Sequence, residues 1–231
     1  MRTAVLADVA PATPRTRRLR LAVTGGPFSF RAGQAVFAGL RGADTRAPYS
    51  IASPPALAMA GTIELLVTAD GAFGQAGLDP AAVAGATLDI EGPLGTFGVP
   101  DDAAGAPLLL VAGGTGIAPL RSVIFDRLGT PGHPPATLVY SVRTPDEFAF
   151  ADEFQALEAS GRLRLHLTVT RDDSPSGQPA RSGRVDAALL RTALPAPDAV
   201  CLVCGPSGFV QAITATLAEL GVPPGRIVVE R

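Results

Sequence analysis

The chain has 231 residues, 47% hydrophobic and 17% charged, which supplies packed cores for one large or two small domains and excludes disorder. A formal net charge of -2 leaves no electrostatic footprint for nucleic acid or an anionic membrane. Lysine and asparagine are absent, so all 19 cations are arginine, a bias that a GC-rich genome produces and that gives weight only to arginines within motifs. The opening residues, MRTAVLADVAPATPRTRRLR, lack a signal-peptide core, and no run approaches the roughly 20 apolar residues of a membrane span. The expectation is a cytoplasmic protein.

In chain order, residues 16–24 (TRRLRLAVT) place Leu19, Leu21 and Val23 on one side and Arg18 and Arg20 on the other, the period of a half-buried strand. The cluster Arg15, Arg17, Arg18 and Arg20 reads as a solvated strand face, with a docking patch for an acidic electron carrier as the alternative. Apolar runs at 35–40, 62–68 and 87–91 follow, punctuated by Gly and Pro, so residues 1–100 are expected to form an antiparallel β-barrel. PDDAAGAP (100–107) reads as a linker. Beyond it strands at 108–112, 137–142, 163–169 and 199–205 alternate with helices at 118–128, 146–161, 185–194 and from Pro206 to about Leu220, and IVVE closes the chain. That alternation predicts a doubly wound parallel sheet over 101–231, so the fold class is β followed by α/β.

Cys201 and Cys204 form a CxxC at the end of a strand, where residues three apart point to opposite faces. Reactive pairs of this kind open a helix instead, so no disulfide is expected and Cys201 reads as core packing. Two cysteines are too few for a disulfide framework or a four-cysteine iron–sulfur set. His133 and His166 lie far apart, His166 inside an apolar strand, and both read as structural residues, not metal ligands.

The sharpest local feature is Gly113-Gly114-Thr115-Gly116, between a strand and a helix. Glycines let backbone approach a phosphate closely, and a helix N-terminus presents unpaired N–H groups to it. Pro119 falls in the first helical turn, where its missing donor costs nothing. It stands where the usual dinucleotide fingerprint has a third Gly or Ala, so the ordinary match fails and a plain connecting turn remains open.

The full string GGTGIAP (113–119) resembles the nicotinamide-nucleotide motif of the ferredoxin–NADP reductase superfamily, and other strings match that superfamily in order. Phe28-x-Phe30-Arg31-Ala32-Gly33-Gln34 resembles its "F-x-AGQ" barrel strand. Arg46-Ala47-Pro48-Tyr49-Ser50-Ile51-Ala52-Ser53 resembles its flavin-binding "R-x-Y-S-x-A-S", and Gly92-Pro93-Leu94-Gly95-Thr96-Phe97 its "GP-x-G-x-F" hairpin. Cys204-Gly205-Pro206 is similar to its "CGP", and Glu230 falls where an acidic residue sits near the end of the chain.

The resemblance implies a stand-alone flavoenzyme that takes hydride from NADPH or NADH onto FAD, with FMN as the alternative. Tyr49 would pack on the flavin ring and Ser50 would reach its N5 edge, while Cys204, with Thr115, would sit against the nicotinamide. Ser50, Cys204 and Glu230 are the catalytic candidates. Gly113, Gly114, Thr115, Gly116, Pro119, Gly205 and Pro206 would hold the nucleotide. Arg143, after the second parallel strand, and Arg171, after the third, would clamp a 2′-phosphate.

Two departures stand out. Arg46, the expected flavin-phosphate ligand, lies three residues before Tyr49 where the superfamily has two, so Pro48 would need to introduce a bulge to restore its aim. Around Gly74 and Gln75 the superfamily's Ser or Thr is missing, which leaves backbone N–H groups to meet a flavin diphosphate. The expected acceptor is a separate molecule, such as ferredoxin or flavodoxin. Alternatives are a reductase of free flavin, an electron-transfer subunit of an oxygenase or hydrogenase complex, and a nucleotide-binding regulatory protein without flavin.

Overall fold

A computed structural model describes residues 1–43, 46–69, 85–171 and 180–230. The first half is an antiparallel sheet of β1 (Arg2–Thr13), β2 (Thr16–Val23), β3 (Ala35–Leu40), β4 (Ala47–Ser50), β5 (Thr62–Thr68) and β6 (Thr87–Leu94), ordered β4-β3-β6-β1-β2-β5. An antiparallel bridge between Ile51 and Leu65 joins the two ends, and Ala52 N–H donates to the Glu64 carbonyl at 2.8 Å. The sheet therefore closes into the expected barrel. Leu19, Leu21 and Val23 point inward with Leu6, Val36, Ile51, Ile63, Leu65, Leu88 and Ile90, all buried. A short helix, α1 (Pro55–Met59), connects β4 to β5.

Two barrel readings need correction. Residues 28–34 are not a strand but an irregular passage that turns at Gly33. Gly33 has φ +100°, and a Cβ there would lie 2.6 Å from the Phe97 carbonyl oxygen, so close backbone crossing, not sheet pairing, explains the Ala-Gly. Likewise 92–97 is not a hairpin: Leu94 ends β6 opposite Ala35, and the chain then runs irregularly toward the second half.

The second half contains β7 (Leu108–Gly113), α2 (Ile117–Leu128), β8 (Ala136–Val142), α3 (Ala151–Ala159), β9 (Leu163–Val169), β10 (Arg181–Ser182), α4 (Ala187–Ala193), β11 (Val200–Cys204), α5 (Ser207–Glu219) and β12 (Ile227–Val229). The six strands are parallel and ordered β10-β9-β8-β7-β11-β12. One face, with Leu108, Leu110, Leu138, Tyr140, Leu202 and Cys204, packs under α2 and α3. The other, with Leu109, Val111, Val139, Cys201 and Val203, packs under α4 and α5. The sheet is doubly wound, and its direction of growth reverses between β7 and β11, where such sheets bind ligands beyond their strand ends.

The helix expected over 146–161 is shorter. A 3-10 turn occupies Pro145–Glu147, and Phe150 takes a left-handed φ of 61° before α3 begins. Tertiary packing overrides the helical spacing here: Phe148 and Phe154 both meet the buried Tyr140 ring edge-on, at 5.1 and 6.5 Å, and the Tyr140 hydroxyl accepts Ala149 N–H. Phe150 turns instead toward Arg121, whose guanidinium lies 4.4 Å from its ring centre.

The expected solvated arginine face forms only in part: Arg15 and Arg20 are exposed, but Arg18 and Arg20 are tied into ion pairs. Arg20 donates to Glu64 Oε1 at 3.0 and 3.2 Å, and Arg18 pairs with Asp8 at 3.4 Å. The carboxylate of Glu64 is buried, and its other oxygen binds Arg121 of α2 at 2.9 Å. These ions stitch the barrel to the α/β half.

Candidate functional site

The glycine loop is built by contact between two strand ends. β7 runs out at Gly113 and enters α2 through a 3-10 turn, Gly114–Gly116. A Cβ on Gly116 would lie 2.4 Å from the Cys204 carbonyl oxygen and 2.7 Å from Gly205 N. Gly205, at φ +156°, would bring its own Cβ within 3.0 Å of Gly113 Cα. The loop after β7 is therefore locked against the loop after β11, across the point where the sheet reverses. Gly114, at φ +55°, faces open space.

Neither α2 nor α5 has a side chain capping its N-terminus; in α2 the Ile117 N–H turns back to the Gly114 carbonyl and Pro119 has none, so α5 offers an anion the fuller set of first-turn N–H groups. Pro119 is buried in the first turn of α2. A cleft of about 530 Å³ opens beside them, lined by Gly113, Gly114, Thr115 and Pro206, with Thr13, Arg15, Leu66 and Thr68 closing it from the barrel. Phe209, which sequence reasoning passed over, lines it too, its ring close to Gly113 and Gly205.

Ser50, Cys204 and Glu230 converge, although they come from β4, the end of β11 and the residue after β12. Ser50 Oγ donates to Glu230 Oε1 at 2.6 Å, and the Cys204 thiol donates to Oε2 at 2.6 Å. Parallel pairing explains the second contact: β12 lies beside β11, and Glu230 N–H continues the pairing to the Val203 carbonyl at 3.3 Å. The first contact crosses from barrel to α/β half and is set by barrel closure, since Ser50 immediately precedes the bridging Ile51. Burial, then the Glu230 charge, pushes the Cys204 thiol well above the ordinary range, so it stays protonated as a donor. Cys201 lies on the opposite sheet face, and burial pushes its thiol up to about 12. Both thiols are free.

Tyr49 is half-buried beside Ser50 and packs on the barrel core. Arg46 behaves differently. The β3–β4 register is continuous from Ala38–Ala47 to Ala35–Ser50, so Pro48 introduces no bulge. The Arg46 guanidinium binds Glu91 at 3.2 Å on the outer barrel surface. Gly74 and Gln75 lie outside the described residues.

Beyond β8 and β9, Arg143 and Thr170 line the cleft, but Arg171 is exposed and does not. Arg184 lines it instead, an arginine that spacing after the strands does not indicate. Neither the Arg143 nor the Arg184 guanidinium has an ion-pair partner among the described residues. Glu147 stands between Arg143, whose N–H it accepts at 3.2 Å, and Arg15, at 3.9 Å.

The donor set fits a dinucleotide: a glycine cradle, two uncapped helix ends and unpaired arginines along one cleft. A hydroxyl and a phenol ring at the barrel seam likewise suit the polar edge and ring of a flavin.

Residues 110–215 match the family model "Oxidoreductase NAD-binding domain". The chain is 33% identical to ferredoxin–NADP reductase B of Sorangium cellulosum, over 98% of this chain and 95% of that protein. It is 35% identical to the ferredoxin–NAD(+) reductase component of the alkene monooxygenase system of Xanthobacter autotrophicus, over 90% of this chain but only 63% of that longer protein. Among solved structures, the cytochrome P450 reductase GcoB of Amycolatopsis superposes with a TM-score of 0.85 at 27% identity, covering 100% of this chain and 69% of that one.

Proposed function

The chain belongs to the ferredoxin–NAD(P) reductase-like oxidoreductases, and from that premise we propose that it takes hydride from a reduced nicotinamide nucleotide onto bound FAD and delivers electrons to a separate acceptor such as ferredoxin or flavodoxin. Single-electron release from a reduced flavin is the chemistry that bridges a two-electron donor and a one-electron carrier.

The observation that carries this reading is the bridge from Ser50 through the Glu230 carboxylate to the Cys204 thiol. It brings a barrel hydroxyl and a thiol from the nucleotide side to one point, at the end of the strand that leads through Gly205 and Pro206 into the cleft. In the proposed roles, Tyr49 and Ser50 hold the flavin edge. Gly113 to Gly116, Gly205 and Pro206 hold the pyrophosphate of the nucleotide. Cys204 and Glu230 fix the nicotinamide end, and orientation of the reacting groups is their contribution to rate. Arg143 and Arg184 at the far end, without an ion-pair partner among the described residues, favour NADPH. Residues 1–100 and 101–231 are the proposed flavin and nucleotide domains, and the proposed location is cytoplasmic. No helix among the described residues is long and apolar enough to cross a membrane.

The Arg46–Glu91 pair favours a second reading, in which free flavin is a substrate. With its guanidinium engaged by a carboxylate, Arg46 offers a flavin phosphate less charge. Both readings are tested by the visible spectrum of the purified chain followed by anaerobic addition of NADPH or NADH. Flavin absorption that survives gel filtration and bleaches on nucleotide addition supports a resident cofactor. A colourless chain that oxidises NADPH only with added flavin supports the second reading, and one that does neither overturns both.

A further inference from the structure

Arg121 is a charged residue on the apolar side of a helix, one turn after Ile117 and one turn before Ile124, both buried. Its own exposure is 7%. Every face of its guanidinium is used. Nε and Nη2 donate to the Glu153 carboxylate at 2.8 and 3.1 Å. Nη1 donates to Glu64 Oε2 at 2.9 Å and to the Ala52 carbonyl at 2.8 Å. The plane lies against the rings of Phe150 and Phe125, at 4.4 and 5.0 Å. Arg20 and Arg18 approach Glu64 Oε1 at 3.0 and 3.9 Å, and Arg18 also pairs with Asp8, so three cations meet three carboxylates and the charges balance.

The partners lie at informative places. Ala52 is two residues after Ser50, at the seam that closes the barrel. Glu64 is opposite that seam on β5. Arg121 itself is in the second turn of the helix that the glycine loop opens, and Glu153 is in α3 behind it. One rigid fork thus ties the Ser50 strand to the helix carrying the nucleotide loop, and the neighbouring Ser122 Oγ adds a bond to the Ser53 carbonyl at 2.7 Å.

We propose that Arg121 is a positioning residue that sets the alignment of the barrel against the α/β half, and so the distance from Ser50 to the Glu230–Cys204 pair. Its effect on turnover rests on the flavin-reductase reading; its effect on geometry does not. Misplacement of reacting groups by about 1 Å costs on the order of a hundredfold in rate, so a clamp remote from the reacting atoms can control the step.

The two cysteines give a readout that separates alignment from stability. Cys204 sits at the domain seam, tied to Ser50 through Glu230, whereas Cys201 is sealed under α4 and α5. In the full-length Arg121→Met variant, alkylation followed by mass spectrometry is expected to label Cys204 while Cys201 stays protected. The rate of flavin reduction in a single turnover is expected to fall about tenfold or more with the nucleotide KM within about twofold, and the long-wavelength charge-transfer absorption between flavin and nicotinamide to weaken. Wild-type protection of Cys204 together with a wild-type reduction rate overturns the proposal. Should Arg121→Met label both cysteines together, the fold has failed and the milder Glu153→Gln decides, since it removes one carboxylate and leaves Arg121 on Glu64. Selective Cys204 labelling in that variant supports the clamp, and unchanged labelling overturns it. A wild-type chain that takes up no flavin defeats the functional reading alone, because the labelling experiment needs no cofactor.

Discussion

Ser50 donates a 2.6 Å hydrogen bond to Glu230, a residue 180 positions further along the chain, and does so across the boundary between barrel and α/β sheet. Because the same carboxylate accepts the Cys204 thiol, its removal strands two donors at once. An unsatisfied buried donor costs about 1–3 kcal/mol, and the rate falls by roughly 5- to 150-fold per donor to the extent that this cost is felt more strongly in the transition state than in the ground state. Glu230→Ala is therefore expected to slow stopped-flow flavin reduction within that range, with Glu230→Gln intermediate because an amide oxygen still accepts one bond. A Glu230→Ala rate within twofold of wild type would show that the bridge is not used in hydride transfer.

Gly116 tests the loop itself. A methyl group there meets backbone atoms of Cys204 and Gly205 at 2.4–2.7 Å, and backbone cannot swing aside as a side chain can. Gly116→Ala is expected to lose about 1–3 kcal/mol of stability and to weaken NADPH binding. At Gly114 the added Cβ meets nothing, so Gly114→Ala incurs only the left-handed backbone cost of about 1–2 kcal/mol. Denaturant melts and nucleotide titrations of the pair check this. Equal loss of nucleotide affinity in both would show that the contact with Cys204 is not what shapes the cradle.

Much of this was legible from residue order alone because period and punctuation are local. Alternation in TRRLRL, apolar runs of strand length and the GGTG turn each declare themselves within a few residues. Ion pairs across sheets do not. Arg18 and Arg20 look like a solvated face until the β2–β5 register brings Glu64 opposite Arg20 and within 3.9 Å of Arg18, and Arg121 betrays itself only as a cation on an apolar helix stripe. Arg46 shows the same limit: its spacing raised the question, but the absence of a bulge and the Glu91 partner are properties of three adjacent strands. Helical spacing at Phe150 misled because aromatic packing on Tyr140 and Arg121 outweighs local preference.

Asp186 gives a pH dependence with a definite sign. Arg181, at 3.0 Å, and the Leu189 N–H, at 2.8 Å, favour the carboxylate, and its pKa falls from 3.8 to about 2. The unfolded chain therefore binds this proton more readily than the folded one. The contribution of Asp186 to stability is complete above 3.8, shrinks as pH falls below that value, and is gone below about 2. Asp186→Asn keeps an N-cap acceptor but loses the charge. Thermal melts of variant and wild type are expected to differ at neutral pH and to converge as pH approaches 2. A difference that stays constant with pH would assign the effect to packing and not to this ionisation.

Arg143 and Arg184 decide the far end of the cleft. Both line it, and neither guanidinium has an ion-pair partner among the described residues, whereas Arg15 on the barrel side already has Glu147 nearby. A 2′-phosphate would meet two unpaired forks, and a charge-assisted hydrogen bond contributes about 1.5–3 kcal/mol. Arg143→Ala or Arg184→Ala is then expected to raise the KM for NADPH by roughly 10- to 150-fold while leaving that for NADH nearly unchanged. Arg171→Ala, outside the cleft, is expected to leave both constants near wild type. The comparison is internally controlled, since a fold defect raises both constants together. If Arg171→Ala instead abolishes the preference and Arg184→Ala does not, the third strand supplies the phosphate ligand and the cleft lining has been assigned to the wrong arginine. If neither variant separates the two nucleotides, the chain reads only the part that NADH and NADPH share, and the two arginines do not set a preference between them.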